Sequence, residues 1–311
     1  SLNWHWIFLV NLPIGILVFA LCMALVPAKH VKQPGKVDVA GAIFVTSALM
    51  LAVYGIVNGN EDGWHSSQTM WLLGTALLLL LIFLGIESVV KHPLMPLRMF
   101  KNRQLAVANI VGVLWAIAMF AWFFISALYL QFVLGYSPLE VGLAFLPTNL
   151  IMAAFSLGLS ARLVMKFGIR IPLSGGLGLA ALGLFHFSLA PMEGSYLADV
   201  MPGMILLGIG GGMAFNPLLL AAMNGVPQSE SGLASGIVNT SFMMGGALGL
   251  ATLASLAYLR TEYLMDSQTT QVALNGGYHW AFLASALFAA IAAVLGATLL
   301  RETVGPANAH H

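Results

Sequence analysis

Residues 105–134 read LAVANIVGVLWAIAMFAWFFISALYLQFVL, without a single Asp, Glu, Lys or Arg. A helix needs about 20 mostly apolar residues to cross the hydrocarbon core of a bilayer. No water is available there, so every backbone N–H and C=O must be bonded within the segment. The run exceeds that length. It follows KHPLMPLRMFKNRQ (91–104), where Lys91, Arg98, Lys101 and Arg103 are set among Pro93 and Pro96. The pattern is a membrane-spanning helix emerging from a basic loop.

Similar runs lie on both sides. Segments 4–26, 39–57, 70–90, 139–164, 171–190, 196–223, 232–259 and 278–300 are apolar enough to cross, which makes nine expected spans. Composition agrees: 59% of residues are hydrophobic and 7% charged, whereas soluble domains carry about 25% charged residues. The fold class is an all-α integral membrane protein. A net charge of +1 with no basic aromatic patch offers nothing to nucleic acid. The single cysteine, Cys22, lies inside the first run, so one chain can form neither a disulfide nor a Cys-based metal site, and Cys22 reads as a small core hydrophobe.

The basic residues orient the spans. With the loop after residue 26 placed in the cytoplasm, Lys29, Lys32, Lys36, Lys91, Arg98, Lys101, Arg103, Arg162, Lys166, Arg170 and Arg301 all fall inside, and only Arg260 falls outside. Aromatic side chains, among them Trp4, Trp6, Trp64, Trp71, Tyr136, Tyr196, Tyr258, Tyr263, Tyr278 and Trp280, gather at the outer boundaries, the headgroup level that amphipathic rings prefer. An odd number of spans with the C-terminus inside puts Ser1 outside. With no initiator Met and no signal peptide, the expectation is a fragment of a longer protein whose further spans lie upstream.

Nothing in the spans points to an enzyme. There is no HExxH, no pair of intramembrane aspartates and no GxSxG, so neither a catalytic constellation nor a metal site is expected. His186 alone among the histidines sits well within a span and reads as a helix–helix hydrogen-bonding group. Asp38, Glu87, Glu140, Asp199 and Glu230 lie near span ends, and none is at the mid-depth where a proton-coupling carboxylate belongs.

Neutral side chains are more informative. Trp115, Trp122, Ser126 and Tyr129 share one helical face, with Gln131 near the same end. Asn149, Asn216 and Asn239 interrupt apolar runs, where an amide must meet a partner or water rather than lipid. They read either as interhelical hydrogen bonds or as the lining of a broad cavity, a pocket that sixteen flexible methionines would help to adapt. Two proline-interrupted, asparagine-bearing helices, with Pro147 in LPTN and Pro217 in FNP, occupy similar places in two three-span triplets, a pointer to a transport pathway; ordinary proline kinks are the rival reading. The pairs Gly208/Gly212, Gly232/Gly236 and Gly245/Gly249 form small-xxx-small faces suited to close helix packing or sliding.

Four separated stretches, WHWIFLVNLPIG (4–15), HPLMPLRMFKNR (92–103), YLQFVLGYSPLEVGLAFLP (129–147) and VPQSESGLASGIVNT (226–240), resemble the EmrB/QacA-type drug:proton antiporters, fourteen-span members of the major facilitator superfamily. The resemblance implies that about five spans precede this chain. It makes 1–28 the last span of an N-terminal bundle, 29–104 two central linker spans, 105–301 a six-span C-terminal bundle and 302–311 a cytoplasmic tail. ARLVMKFGIR (161–170) is similar to the superfamily's cytoplasmic loop motif at Lys166, Gly168 and Arg170, but Met165 stands where the motif has Asp, so a salt bridge through that Asp does not carry over.

The resemblance implies a multidrug exporter of the inner membrane, working by alternating access without a cofactor and driven by the proton gradient, with coupling carboxylates mainly in the missing spans. Its partners would be an amphipathic small molecule, protons and the lipid bilayer. A periplasmic adaptor is a candidate at the outer loop 260–277, which otherwise reads as a solvated connection. Trp115, Trp122, Ser126, Tyr129, Gln131, Asn149, Asn216 and Asn239 would line the pathway. A non-transporting scaffold or sensor that keeps the fold is the alternative.

Overall fold

The computed structural model describes residues 9–25, 38–60, 62–90 and 93–301. The expected first span is described only in part, and Lys29, Lys32, Lys36, Lys91 and the tail 302–311 lie outside the described residues. The chain divides into two units, residues 1–37 and 38–311. In the first, helix α1 (Asn11–Leu25) carries no charged residue.

The second unit is all helix among its described residues. Its elements are α2 (Val39–Asn58), α3 (Ser67–Val89), α4 (Arg103–Leu128), α5 (Pro138–Ala154), α6 (Ser160–Phe167), α7 (Arg170–Phe187), α8 (Met201–Met223), α9 (Ser231–Met265) and α10 (Thr270–Leu299). Among the described residues, seven helical stretches are long and apolar enough to cross a membrane: 39–60, 67–89, 103–133, 138–167, 196–223, 231–265 and 270–299. The expected span 171–190 is the shorter α7, less apolar because Arg170, Pro172, four glycines and His186 fall within it.

Polar caps set where helices start. Asp38 accepts from the Gly41 N–H at 2.8 Å and opens α2, Ser66 opens α3, and Asn102 opens α4 through the Gln104 N–H at 2.9 Å. Ser137 and Glu140 form a reciprocal capping box ahead of α5, with Pro138 in the first turn. Three π-helical turns alter the rods: Tyr129–Val133 ends α4, Phe155–Leu159 joins α5 to α6, and Tyr196–Val200 leads into α8.

Helices α4 to α10 form one bundle, with α4 packed on α9 and α10, α7 on α8 and α10, and α5 on α8; α2 and α3 pair as a hairpin that meets the bundle at α9. There Asn60 Nδ2 donates to Ser255 Oγ at 2.7 Å. Trp115, Trp122, Ile125, Tyr129, Leu177, Phe187 and Phe282 are buried in the core, while Leu81, Leu146, Leu150, Leu182, Leu287 and Val294 are exposed. Large apolar residues facing outward on nearly every long helix fit a lipid solvent. The chain is a multi-pass membrane protein.

Side-chain bonds distinguish the two ends. At the basic end Arg98 pairs with Glu230 at 2.8 Å, Asn102 donates to the Asn224 carbonyl, and Gln104 donates to that of Arg301. At the opposite end Tyr129 OH donates to the Pro191 carbonyl at 2.7 Å, and Asn275 and His279 reach the carbonyl of Ala190.

The expected outer loop 260–277 is corrected. Helix α9 continues to Met265 and α10 starts at Thr270, so only residues 266–269 connect them. The two helices stay packed beyond the apolar zone because Gly277 lies against Thr261 and Ala257, and Gly276 against Leu264. Tyr278, expected among the boundary aromatics, is buried against the bundle within α10.

Candidate functional site

The polar and glycine residues singled out from the sequence separate into a stitched helix seam, an aromatic core and two open helix faces. The seam joins α5, its π turn and α6 to α8. A Cβ on Gly208 would meet the Thr148 carbonyl oxygen at 2.8 Å, and one on Gly212 would meet Phe155 Cβ at 2.6 Å and the Met152 oxygen at 2.7 Å. Only glycine permits so close a backbone approach. Hydrogen bonds flank the glycines. Thr148 Oγ1 donates to the Met204 carbonyl at 3.2 Å, and Tyr196 OH donates to that of Ala144 at 2.8 Å.

Farther along, Asn216 Nδ2 donates to the Ser156 carbonyl at 2.7 Å, inside the π turn, and Ser160 Oγ approaches the Met213 carbonyl at 3.4 Å. Met213 lies four residues before Pro217, the position whose intrahelical bond a proline removes. Pro217 is buried and Pro147 half-buried within their helices. On α9, Gly245 and Gly249 sit against Val113 and Ile117 of α4. Gly232 and Gly236 differ: nothing lies within 4 Å of a Cβ at either, so the expected third packing face is an open surface. Small-residue spacing marks a smooth face but not whether a neighbour occupies it.

Trp115, Trp122, Ser126 and Tyr129 are all fully buried, at 1%, 1%, 0% and 0% exposure. In this structure the face is packed against neighbouring helices and lines no open cavity among the described residues. Trp122 packs edge-to-face on Phe145 of α5 at 5.8 Å between centroids and lies 6.4 Å from Phe187 of α7. Trp115 lies beside Gly211 of α8. Ser126 donates back to the Trp122 carbonyl at 2.5 Å. Periodicity identifies the inward face of a helix, and a packed core and a lined cavity share that period. The indole N–H groups of Trp115 and Trp122 are buried without a hydrogen-bond partner among the described residues. Gln131 is half-buried in the π turn.

Asn149 and Asn239 stay open. Asn149 is exposed on α5 in line with Gly142, Leu146 and Ala153, and Asn239 is exposed on α9 in line with Gly232, Gly236 and Met243. Asn239 donates only to the Ser235 carbonyl of its own helix, at 3.2 Å. At the basic end Gly168, with φ +75°, makes the turn between α6 and α7 that a side chain would resist. Lys166 is exposed above the Phe167 ring, and Arg170 is half-buried.

The carboxylates have local structural partners. Glu87 is 3% exposed and accepts from the N–H groups of Leu94 and Met95 at 3.1 and 3.0 Å, which folds the turn after α3. Asp38 is buried nearby as the α2 cap. His186 bonds to the Asp199 carbonyl at 3.0 Å. Sequence reasoning missed the clamp on residues 190–191 by Tyr129, Asn275 and His279. The spacing of Asn275 and His279, one helical turn apart, is the signal that could have found it. Among the described residues no three His, Cys, Asp or Glu side chains are placed to hold a metal.

Comparison with known proteins decides the family. The model of the Major Facilitator Superfamily matches residues 1–250. The chain belongs to the Major Facilitator Superfamily. Among its superfamily relatives, the cephamycin export protein CmcT of Amycolatopsis lactamdurans is 32% identical over 298 residues, 94% of this chain and 60% of that protein. The lincomycin resistance protein of Streptomyces lincolnensis is 35% identical over 260 residues, 82% of this chain and 53% of its own. The multidrug transporter protein MdtP of Bacillus subtilis is 28% identical over 272 residues, 86% and 49% of the two chains. The chain thus spans about half to three-fifths of the length of these relatives.

Proposed function

We propose that the protein carrying this chain is a secondary active transporter of the inner membrane, exporting amphipathic small molecules in exchange for protons by alternating access. The observation that carries this reading is superfamily membership, in a chain whose relatives are named for the export of, or resistance to, cephamycin, lincomycin and multiple drugs. No enzyme activity and no cofactor enters the proposal; the proton gradient supplies the energy.

In this reading the organisation is that of a fourteen-span member, with residues 1–28 closing an N-terminal bundle, 29–104 forming the two linker spans and 105–301 the C-terminal bundle, its tail in the cytoplasm. The hairpin of α2 and α3, attached through α9, supports treating the linker spans separately. The gathering of Arg98, Lys101, Arg103, Lys166, Arg170 and Arg301 toward one end supports a cytoplasmic basic end. A periplasmic adaptor, if one is used, would meet the helical ends around residues 260–277.

The substrate pathway would run along the open faces bearing Asn149 and Asn239. Amides within apolar spans do not face lipid without cost, and these two are exposed on bundle helices. Asn216, Gln131 and Ser126 would border that path. The unpartnered indole N–H groups keep Trp115, Trp122 and, beside them, Tyr129 in the proposal as the wall that opens when the helices move. Gly208, Gly212, Gly245 and Gly249 would be the contacts on which they slide.

The test is ethidium accumulation in a drug-sensitive bacterium expressing the gene product. The reading expects lower accumulation than in cells without it, and partial loss of that effect in Asn149→Leu and Asn239→Leu at equal expression. Unchanged accumulation, for ethidium and for a panel of amphipathic drugs, would refute it.

A further inference from the structure

Arg260 is the one basic residue that breaks the charge orientation, and the structure gives it unusual surroundings. Its guanidinium carbon lies 5.2 Å from the Tyr263 ring centre and 5.5 Å from that of Trp280. Among the described residues its Nε is buried without a hydrogen-bond partner, and it makes no ion pair. Glu262 and Asp266, close in sequence, are exposed and do not pair with it. A partly buried arginine held between aromatic rings retains unspent donor capacity.

Directly below it, an apolar groove of about 730 Å³ runs between α7 and α10. Leu256, one turn from Arg260 on α9, and Trp280, which also holds the guanidinium, line its upper part. Leu182, Leu287 and Val294 line the rest and are exposed. From Trp280 to Val294 the groove follows α10 for about 21 Å at 1.5 Å per residue. One leaflet of the hydrocarbon core is about 15 Å deep, so an acyl chain entering beside Trp280 would lie in the groove across its whole leaflet.

We propose that Arg260 and the α7–α10 groove form a binding site for an anionic phospholipid, with the phosphate on the guanidinium and one acyl chain in the groove. Both halves of the ligand are specified. The groove supplies almost no polar surface and takes hydrocarbon, while the arginine supplies a fork of donors matched to phosphate oxygens at the headgroup level marked by Trp280 and Tyr263. A ligand lacking either half would leave one half of the site unused. The position of Arg260 at the end opposite the other described basic residues fits this role. The site does not depend on the transport reading, because it needs only membrane insertion.

Native mass spectrometry of the detergent-released protein, titrated with dioleoyl phosphatidylglycerol or dioleoyl phosphatidylcholine, tests the site. The expected result is retention of phosphatidylglycerol over phosphatidylcholine by about tenfold, because the choline ammonium of phosphatidylcholine already neutralises the phosphate that the guanidinium would pair with. Arg260→Gln should bring that ratio close to one, Arg260→Lys should keep part of it, and Arg98→Gln at the other end should leave it unchanged. Ala290→Trp, which fills the groove, should reduce retention of both lipids. Each variant is compared at an unchanged melting temperature. Equal retention of the two lipids by the parent protein, or an unchanged ratio in Arg260→Gln, would overturn the proposal. Displacement of the bound lipid by millimolar inorganic phosphate would also overturn it, because the site would then read the anion alone.

Discussion

Replacing Gly208 and Gly212 together by alanine adds two methyl groups to the α5–α8 seam at points faced by backbone. The Gly208 methyl would sit 2.8 Å from the Thr148 oxygen, and the Gly212 methyl 2.7 Å from the Met152 oxygen and 2.6 Å from Phe155 Cβ. Comfortable non-bonded contact begins near 3.5 Å, so α8 must retreat by about 0.7 Å. None of those oxygens can rotate away.

The same retreat stretches the three seam bonds made with α8 itself; the fourth, Tyr196–Ala144, springs from the π turn before it. Asn216–Ser156 at 2.7 Å becomes marginal, while Thr148–Met204 at 3.2 Å and Ser160–Met213 at 3.4 Å pass out of range. Overpacking of this kind costs about 1–3 kcal/mol, and interhelical hydrogen bonds in membranes average about 0.6 kcal/mol each. The expected loss is about 3–5 kcal/mol, a drop on the order of 10 °C in melting temperature by soluble-protein scaling. The assay is thermal unfolding in detergent, followed by intrinsic tryptophan fluorescence. Gly232→Ala with Gly236→Ala is the control. Neither methyl meets anything within 4 Å, and removing a helical glycine favours the helix by about 0.5–1 kcal/mol per site. If the two double variants melt together, the close approach at the α5–α8 seam is not what holds those helices.

Three other outcomes follow from single contacts. Asn216→Ala removes the donor to the π-turn carbonyl of Ser156 and should lower stability by about 1 kcal/mol, whereas Asn239→Ala, bonded only within its own helix, should leave melting unchanged. Glu87→Ala leaves the Leu94 and Met95 N–H groups without their acceptor, at a cost of about 1.5–3 kcal/mol, and should speed proteolytic cleavage in residues 93–97; parental cleavage kinetics would show that the carboxylate does not hold that turn. Trp122→Ala should lose about 3–5 kcal/mol of stability and Trp122→Phe much less, so efflux lost in the phenylalanine variant at normal melting temperature would assign the indole N–H to transport rather than to packing.

The architecture was legible because hydrocarbon imposes so simple a rule on the chain. Uncharged runs long enough to span, with basic residues gathered between alternate pairs of them, suffice to place long helices. What escaped lay at the ends and in the faces. Helices α9 and α10 run past the apolar zone because Gly276 and Gly277 let them stay in contact, and hydropathy does not register that contact. The face of Trp115, Trp122 and Tyr129 was recognisable as inward, yet period alone does not separate a packed core from a cavity wall. The split among the asparagines has the same origin: Asn216 meets a carbonyl inside a π turn, and no local sequence signal marks that turn. Gly232/Gly236 and Gly245/Gly249 carry the same spacing on one helix, and only the presence of Val113 and Ile117 opposite the second pair tells them apart.

The central claim is proton-driven export, and its most direct test is uptake of ethidium into everted membrane vesicles containing the protein that carries this chain. With an acid-inside proton gradient the account predicts uptake against the ethidium gradient, abolished by a protonophore and accompanied by alkalinisation of the lumen. Ethidium uptake that proceeds equally without the gradient, or no uptake of ethidium or other amphipathic drugs with the gradient intact, would contradict it.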